Sequence, residues 1–507
     1  MDTYLGIEFG STRIKAVAID GSFTPKASGD YTWRSSFENG VWTYDLDEVW
    51  TGLKAALRGL GDAGSVKGLG ISAMMHGYLA FDKDWKLLVP FRTWQNTITG
   101  QAAEELSALF GFNIPQRWSI AHLYQAVLNG EPHLEQLAHI TTLAGYVHYK
   151  LSGQNVLGIG DASGMFPIDS DRLDYDQHML DLLEKKLAGR FPWKVRDVLP
   201  KVLPAGADAG SVTAEGSELV DGLLPAGIPM APAEGDAGTG MTATNAVAAR
   251  TGNVSAGTSI FAMVVLEHAL SKVYPELDMV TTPDGKPVAM VHCNNCTSDM
   301  NAWVSMLNET LTLFGTEVDT GELYTKLYQK SLEGAADCDG ITVYNYLAGE
   351  PVTGLNEAGR PLVVRRPESA FTLASFLRAQ LYATMASLAA GMDLLRQEKV
   401  AIDRLMGHGG LFKTPVVGQR YMAAATGSPV WVMETAGEGG AYGIALLAAY
   451  LCLGKGQTLD VFLEKTVFAG APGTVQKPLE EDEKGFRSYL DRFIAGLPVQ
   501  KAAVEKL

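Results

Sequence analysis

The chain is short of positive charge, has few cysteines and contains no long apolar run. Lys and Arg number 41 against 57 Asp and Glu, for a formal charge of −16. Nucleic acid and anionic membrane demand basic patches that this balance does not supply, so a small soluble ligand fits better than either. Four cysteines in 507 residues do not make a disulfide framework, which fits a reducing, cytoplasmic setting. In His292-Cys293-Asn294-Asn295-Cys296 further ligands at zinc spacing are missing, and Cys338 and Cys452 are isolated; the thiols are read as buried or partly buried, and no zinc is assigned. The longest apolar stretch, 444–453, is too short to span a bilayer. The N-terminus carries Asp2 and no basic stretch followed by an apolar run, so a signal peptide is not expected.

Hydrophobic residues make up 47% and charged residues 19%, with no low-complexity tract, which places the chain among folded globular proteins. Its length suits three ordinary domains or two large ones. Strand signals alternate with helical patterns: 68–72 as a strand, 102–110 and 140–149 as helices. The reading is α/β. The apolar run 227–231 has strand character and precedes Pro232-Ala233-Glu234-Gly235-Asp236, after which a helix is expected over 237–249. A boundary near residue 245 gives two halves, 1–245 and 246–507. Leu377, Leu381, Met385, Leu388, Met392 and Leu395 recur at steps of three and four, marking a long amphipathic helix whose methionines pack rather than bind. Residues 406–415 read as an apolar strand ending in a glycine cluster, and 438–443 as the opening of a small-residue helix. The acidic run Glu480-Glu481-Asp482-Glu483 reads as a solvated helix start.

Two short segments share one build. Residues 4–9 form a strand whose Leu5, Ile7 and Phe9 face one side and Gly6 and Glu8 the other; the turn Gly10-Ser11-Thr12 follows, then a second strand. About half the chain later, Gly257-Thr258-Ser259 joins two further strands in the same way. Glycine lets the backbone turn sharply and approach a ligand, presenting N–H groups and hydroxyls to phosphate oxygens. Either turn alone reads as an ordinary hairpin loop. As a pair they are what a duplicated domain would place on the two lips of a cleft, where Glu8 would also face.

Six segments in order carry a resemblance: GIEFGSTRIK at 6–15, MMHG at 74–77, APAEGDAGTG at 231–240, SAGTS at 255–259, GHGGLFKTP at 407–415 and GGAYGIALLAA at 439–449. They resemble the FGGY family of carbohydrate kinases, within the actin, hexokinase and chaperone ATPase superfamily. The resemblance implies two RNase H-like domains, each a mixed sheet flanked by helices, closing on a cleft. It also implies transfer of the γ-phosphoryl of ATP to a sugar hydroxyl, with ATP and Mg²⁺ required. Gly10, Ser11, Thr12, Gly257, Thr258 and Ser259 match its phosphate-binding residues, and Gly409, Gly410 and Thr414 its adenosine segment. Asp236 matches the general base, a role the chemistry supports because a hydroxyl must lose its proton to attack; the alternative is a helix cap. Glu8 stands where the family has a metal-associated Asp. Met75 and His76 match the sugar pocket of xylulokinases. Trp94 and Asn96 lie in Arg92-Thr93-Trp94-Gln95-Asn96-Thr97-Ile98, which resembles a W-x-D-x-R pattern with Asn96 for Asp and Ile98 for Arg. Both departures remove a charge, so Asn96 is expected to read a different arrangement of hydroxyls. Asp161, in a family-like GDASG segment, is equally an N-cap or turn residue and is left outside the catalytic set. The implied substrate is a ketopentose such as xylulose; ribulose, a four-carbon keto sugar, glycerol, or a sensor without chemistry remain alternatives. A homodimer is the assembly the resemblance implies.

Overall fold

The computed structural model describes residues 2–433 and 439–507, so Glu438 of the last small-residue segment lies outside the described residues. The chain divides into two compact units. One comprises Met1–Ala248, Asp278–Val288 and Glu438–Gly470, the other Ala249–Leu277, Ala289–Gly437 and Ala471–Leu507. Each carries a mixed sheet flanked by helices. No helix among the described residues is long and apolar enough to cross a membrane.

In the first unit the strands lie in the order Glu234–Gly235, Ser65–Ala73, Asp2–Phe9, Arg13–Asp20, Pro25–Thr32. The first three run parallel and the hairpin strands antiparallel. Leu5, Ile7 and Phe9 are buried as their alternation requires. The opposite face is covered too, by helix Gly439–Leu453. A Cβ added at Gly6 would lie 2.0 Å from Ala441 O, and one at Gly70 would lie 2.7 Å from Ile444 O. Glycine in the strands thus lets a helix of small residues sit directly on the sheet. A linear division at 245 puts this helix in the second half; these contacts place it with the first unit. They also close the Gly6 face that alternation alone left open.

In the second unit the sheet includes, as successive neighbours, Ile260–Val265, Thr251–Ala256, Arg404–His408, Val430–Met433 and Gly473–Gln476, the last antiparallel to the one before it, and shares part of that plan. A hairpin is followed by two parallel neighbours. Helix Leu373–Gln397 is capped by Thr372, whose hydroxyl accepts from Ser375 N.

Local chemistry explains where elements depart from the periodicity. Residues 140–149 split into strand His139–Thr141 and helix Leu143–Ser152 because Thr142 caps the helix through Gly145 N. The run 227–231 makes only isolated bridges. Helix Asp236–Ala243 stops short of 249: Thr242 and Thr244 turn their hydroxyls back onto the Gly238 and Gly240 carbonyls, and Asn245 adopts φ 54°. Within the acidic start of helix Glu480–Ala495, Asp482 is not solvated. It is buried against Arg378 and Arg420, and those two guanidiniums hold its carboxyl below the usual range despite burial.

Candidate active site

Three parallel strands of the first unit end side by side. Phe9 and Gly235 both pair with Ala73, so Gly10, Met74 and Asp236 are the first residues past three adjacent strand ends. Loops beyond the carboxyl ends of parallel strands are where open α/β sheets bind ligands. Asp236 opens helix Asp236–Ala243 and Met75 N donates to its Oδ1 at 3.1 Å. It reaches solvent, yet the surrounding protein strips enough water from the carboxyl to raise its pKa, against the pull of the Met75 and Ala237 N–H groups. A carboxylate so raised is a better proton acceptor.

Met75 and His76 follow directly, both buried. His76 is held at φ 71°, a region costly for a side chain with Cβ and tolerated where the surroundings enforce it. Its Nδ1 lies 3.1 Å from Gly164 O and its ring stacks on Trp118. A Cβ at Gly164 would come within 2.6 Å of both Met75 Cε and His76 Nδ1, so glycine there makes room for the pair. Asp236, Met75 and His76 are therefore gathered at one strand end.

Asn96 is engaged with backbone. Its amide donates to Trp42 O (2.8 Å) and Thr93 O (3.0 Å), and its Oδ1 accepts from Trp42 N at 2.8 Å. Both amide donors are taken by backbone, so Asn96 pins two loops together. Trp94 stands exposed on the same loop.

Glu8 is half-buried, its Oε2 accepting from Ala441 N in the first turn of helix Gly439–Leu453. Burial first, then the charge of Asp236, push its pKa up to about 7, against the pull of Ala441 N–H and Lys15. Among the described residues no three His, Cys, Asp or Glu side chains form a metal cage. A hard divalent ion that keeps its waters and takes phosphate oxygens needs only one or two carboxylates. Two acidic groups that raise each other's energy by repulsion fit such an ion.

Sequence reasoning set one further acid aside, Asp161, and missed another, Glu234. Asp161 and Glu234 are fully enclosed. Glu234 accepts N–H bonds from Gly160 (3.2 Å) and Asp161 (2.9 Å), and Asp161 Oδ2 accepts from Thr142 Oγ1 at 2.7 Å, leaving Oδ1 without a partner among the described residues. Burial lifts both to about 8, with Asp161 adding to the rise at Glu234 and Asp236 to that at Asp161. The available signal was Glu234 two residues before Asp236, flanking a glycine.

In the second unit Gly257 is half-exposed, Thr258 exposed and Ser259 half-exposed. Gly409 has φ 101°, and a Cβ there would lie 2.4 Å from Ala256 O. The glycine cluster thus packs on the residue preceding the second turn. Gly410 faces open space, whereas Thr414 is buried.

A carboxylate of raised pKa is separated by one strand end from a glycine turn, an arrangement compatible with phosphoryl transfer to an alcohol. Residues 3–242 match the N-terminal domain model of the FGGY family of carbohydrate kinases, and residues 252–452 its C-terminal domain model. A xylulose kinase of Haemophilus influenzae is 24% identical over 475 residues, 86% of this chain and 91% of that protein. The ligand-bound xylulose kinase from Lactobacillus acidophilus superposes with TM-score 0.80 at 17% identity, covering 100% of this chain and 99% of the other. The gluconate kinase from the same organism superposes with TM-score 0.81 at 16% identity, covering 99% of each. The chain belongs to the FGGY family of carbohydrate kinases. It is a phosphotransferase that acts on a sugar hydroxyl with ATP.

Proposed function

We propose that this chain transfers the γ-phosphoryl of ATP to a hydroxyl of a ketopentose such as xylulose, with Asp236 as general base. The observation that carries the reading is the placement of Asp236 one residue past a parallel strand end, fixed by Met75 N–H and beside His76. Asp236 takes the proton as the hydroxyl attacks, and Met75 and His76 orient the acceptor. Gly10, Ser11 and Thr12 hold phosphate oxygens, as do Gly257, Thr258 and Ser259; Gly409, Gly410 and Thr414 take the adenosine. Glu8 would hold Mg²⁺ directly or through water, and the bound ion would neutralise phosphate charge. A cytoplasmic location and a homodimer belong to the same proposal by family likeness.

A coupled ADP-release screen across ketoses, aldoses and polyols tests this reading. Turnover is expected with xylulose; ribulose, a four-carbon keto sugar or glycerol as the best acceptor would reassign the substrate, and sugar binding without ADP would make the chain a sensor. Asp236→Asn should bind both ligands and lose about 10²–10⁴-fold in kcat. Full activity in that variant would remove Asp236 from the mechanism.

A further inference from the structure

An anion-binding turn works only if its N–H groups and hydroxyls face the ligand and its carbonyl oxygens face away. In the turn Gly10-Ser11-Thr12 every carbonyl oxygen is tied. Trp33 Nε1 donates to Gly10 O at 2.7 Å, Tyr44 Oη to Ser11 O at 2.7 Å, and Trp33 N to Thr12 O at 3.2 Å. In a planar trans peptide the C=O of one residue and the N–H of the next point in opposite directions. Holding Gly10 O and Ser11 O toward the aromatic side therefore turns the Ser11 and Thr12 N–H groups the other way. The Ser11 side chain lies on the aromatic side, in hydrogen-bonding contact with the Tyr44 hydroxyl, whereas the Thr12 hydroxyl makes no hydrogen bond to protein among the described residues and Thr12 is exposed.

The two donors are rigid. Trp33 and Tyr44 are buried, their ring centroids 4.4 Å apart, with Phe9 packed against Trp33 and Phe91 against Tyr44. Ser35 also hydrogen-bonds the Tyr44 hydroxyl. Nothing in the packing of a hydrophobic core requires the polar tips of both rings to end on consecutive carbonyls of one loop.

We propose that Trp33 and Tyr44 are positioning residues that orient the first phosphate turn by holding its carbonyl oxygens away from the nucleotide. The proposal rests on reading Gly10, Ser11 and Thr12 as phosphate-binding. Tyr44→Phe removes one oxygen and keeps the ring, so it isolates the hydrogen bond; Trp33→Phe is the second variant. Tyr31→Phe, which loses a hydroxyl bonded to Glu48 at 3.1 Å, is the control.

Steady-state kinetics with ATP and sugar varied separately, alongside thermal unfolding, give the readout. Tyr44→Phe is expected to raise KM for ATP about threefold to tenfold, with KM for the sugar unchanged and Tyr31→Phe indistinguishable from the parent. If Tyr44→Phe and Trp33→Phe leave KM for ATP unchanged while Ser11→Ala or Thr12→Ala raises it, the positioning role is refuted and the phosphate reading stands. If Ser11→Ala and Thr12→Ala also leave it unchanged, the phosphate reading itself falls, and the proposal with it. A drop in unfolding temperature with both KM values rising together would reduce Tyr44 to a packing residue and overturn the proposal.

Discussion

The turns at Gly10 and Gly257 have the same build and are secured by different means. The first is tied by two aromatic side chains and one backbone N–H, reaching back from Trp33 and Tyr44. The second is tied almost wholly by backbone: Thr297 N and Oγ1 both donate to Gly257 O, and Cys296 N donates to Thr258 O. The loop that supplies those donors is itself fastened by a buried acid. Glu350 accepts from Asn294 N, Asn295 N and Asn295 Nδ2, while Asn295 Oδ1 accepts from Leu347 N and Ala348 N. The lesson is that duplicated topology fixes where a turn stands, while its orientation is solved separately in each copy. The His292–Cys296 segment, which has the look of a metal half-site, serves the second turn as a clamp, with Cys293 and Cys296 buried as free thiols.

The comparison breaks most sharply at Glu350. Glu350→Ala leaves the Asn294 and Asn295 backbone N–H groups without their acceptor, while Asn295 Nδ2 keeps Ala348 O, for a loss of about 2 kcal/mol in stability, measured by denaturant unfolding. It should also weaken ATP binding through the loosened turn. At the first turn no single side chain carries so much, since Trp33 and Tyr44 share the load. A Glu350→Ala protein as stable as the parent would mean that the clamp is held by the Asn295 amide alone.

The glycines sharpen the comparison next. A Cβ at Gly257 would meet nothing within 4 Å, whereas one at Gly10 would lie 3.2 Å from Arg13 O. Gly257→Ala should therefore leave unfolding unchanged and cost only ligand affinity, about tenfold or more in KM for ATP if a phosphate oxygen fills that space. Gly10→Ala should lower stability and affinity together. Equal behaviour of the two variants, in isothermal binding and thermal unfolding, would erase the distinction.

Much of this was legible in the chain. The strands at both turns, the long helix at 373–397 and the glycine cluster at 407–410 follow from alternation, three-four periodicity and backbone freedom, all local properties. What escaped depends on partners remote in sequence. Nothing local to Asn96 shows that the Trp42 backbone consumes its amide, or that Arg378 and Arg420 enclose Asp482. Gly6 and Gly70 make room for a close approach, but the approaching helix lies more than 360 residues further along. Glu234 reads as a loop acid until its two backbone donors are seen.

The finest difference between the units lies in how their buried acids answer pH. In the first, burial lifts Asp161 and Glu234 to about 8; in the second, burial lifts Glu350 to about 7, against the pull of its Asn295 and Asn294 donors. A carboxyl whose folded pKa is raised holds its proton to higher pH than the unfolded chain does. Its contribution is complete below the unfolded value and is lost as pH rises through the folded one. Stability should therefore decline between about pH 4 and pH 8, with a slope on the order of 1 kcal/mol per pH unit for each proton so held. Glu234 accepts N–H bonds on both oxygens, which suits its ionised form, so the proton of the pair is expected on Asp161, whose Oδ1 has no donor among the described residues. Asp161→Asn mimics that neutral state and should flatten the decline near pH 8 while leaving the part due to Glu350 near pH 7. Unfolding in denaturant at stepped pH gives the two slopes; a decline in Asp161→Asn as steep as in the parent would mean that the proton resides on Glu234 instead.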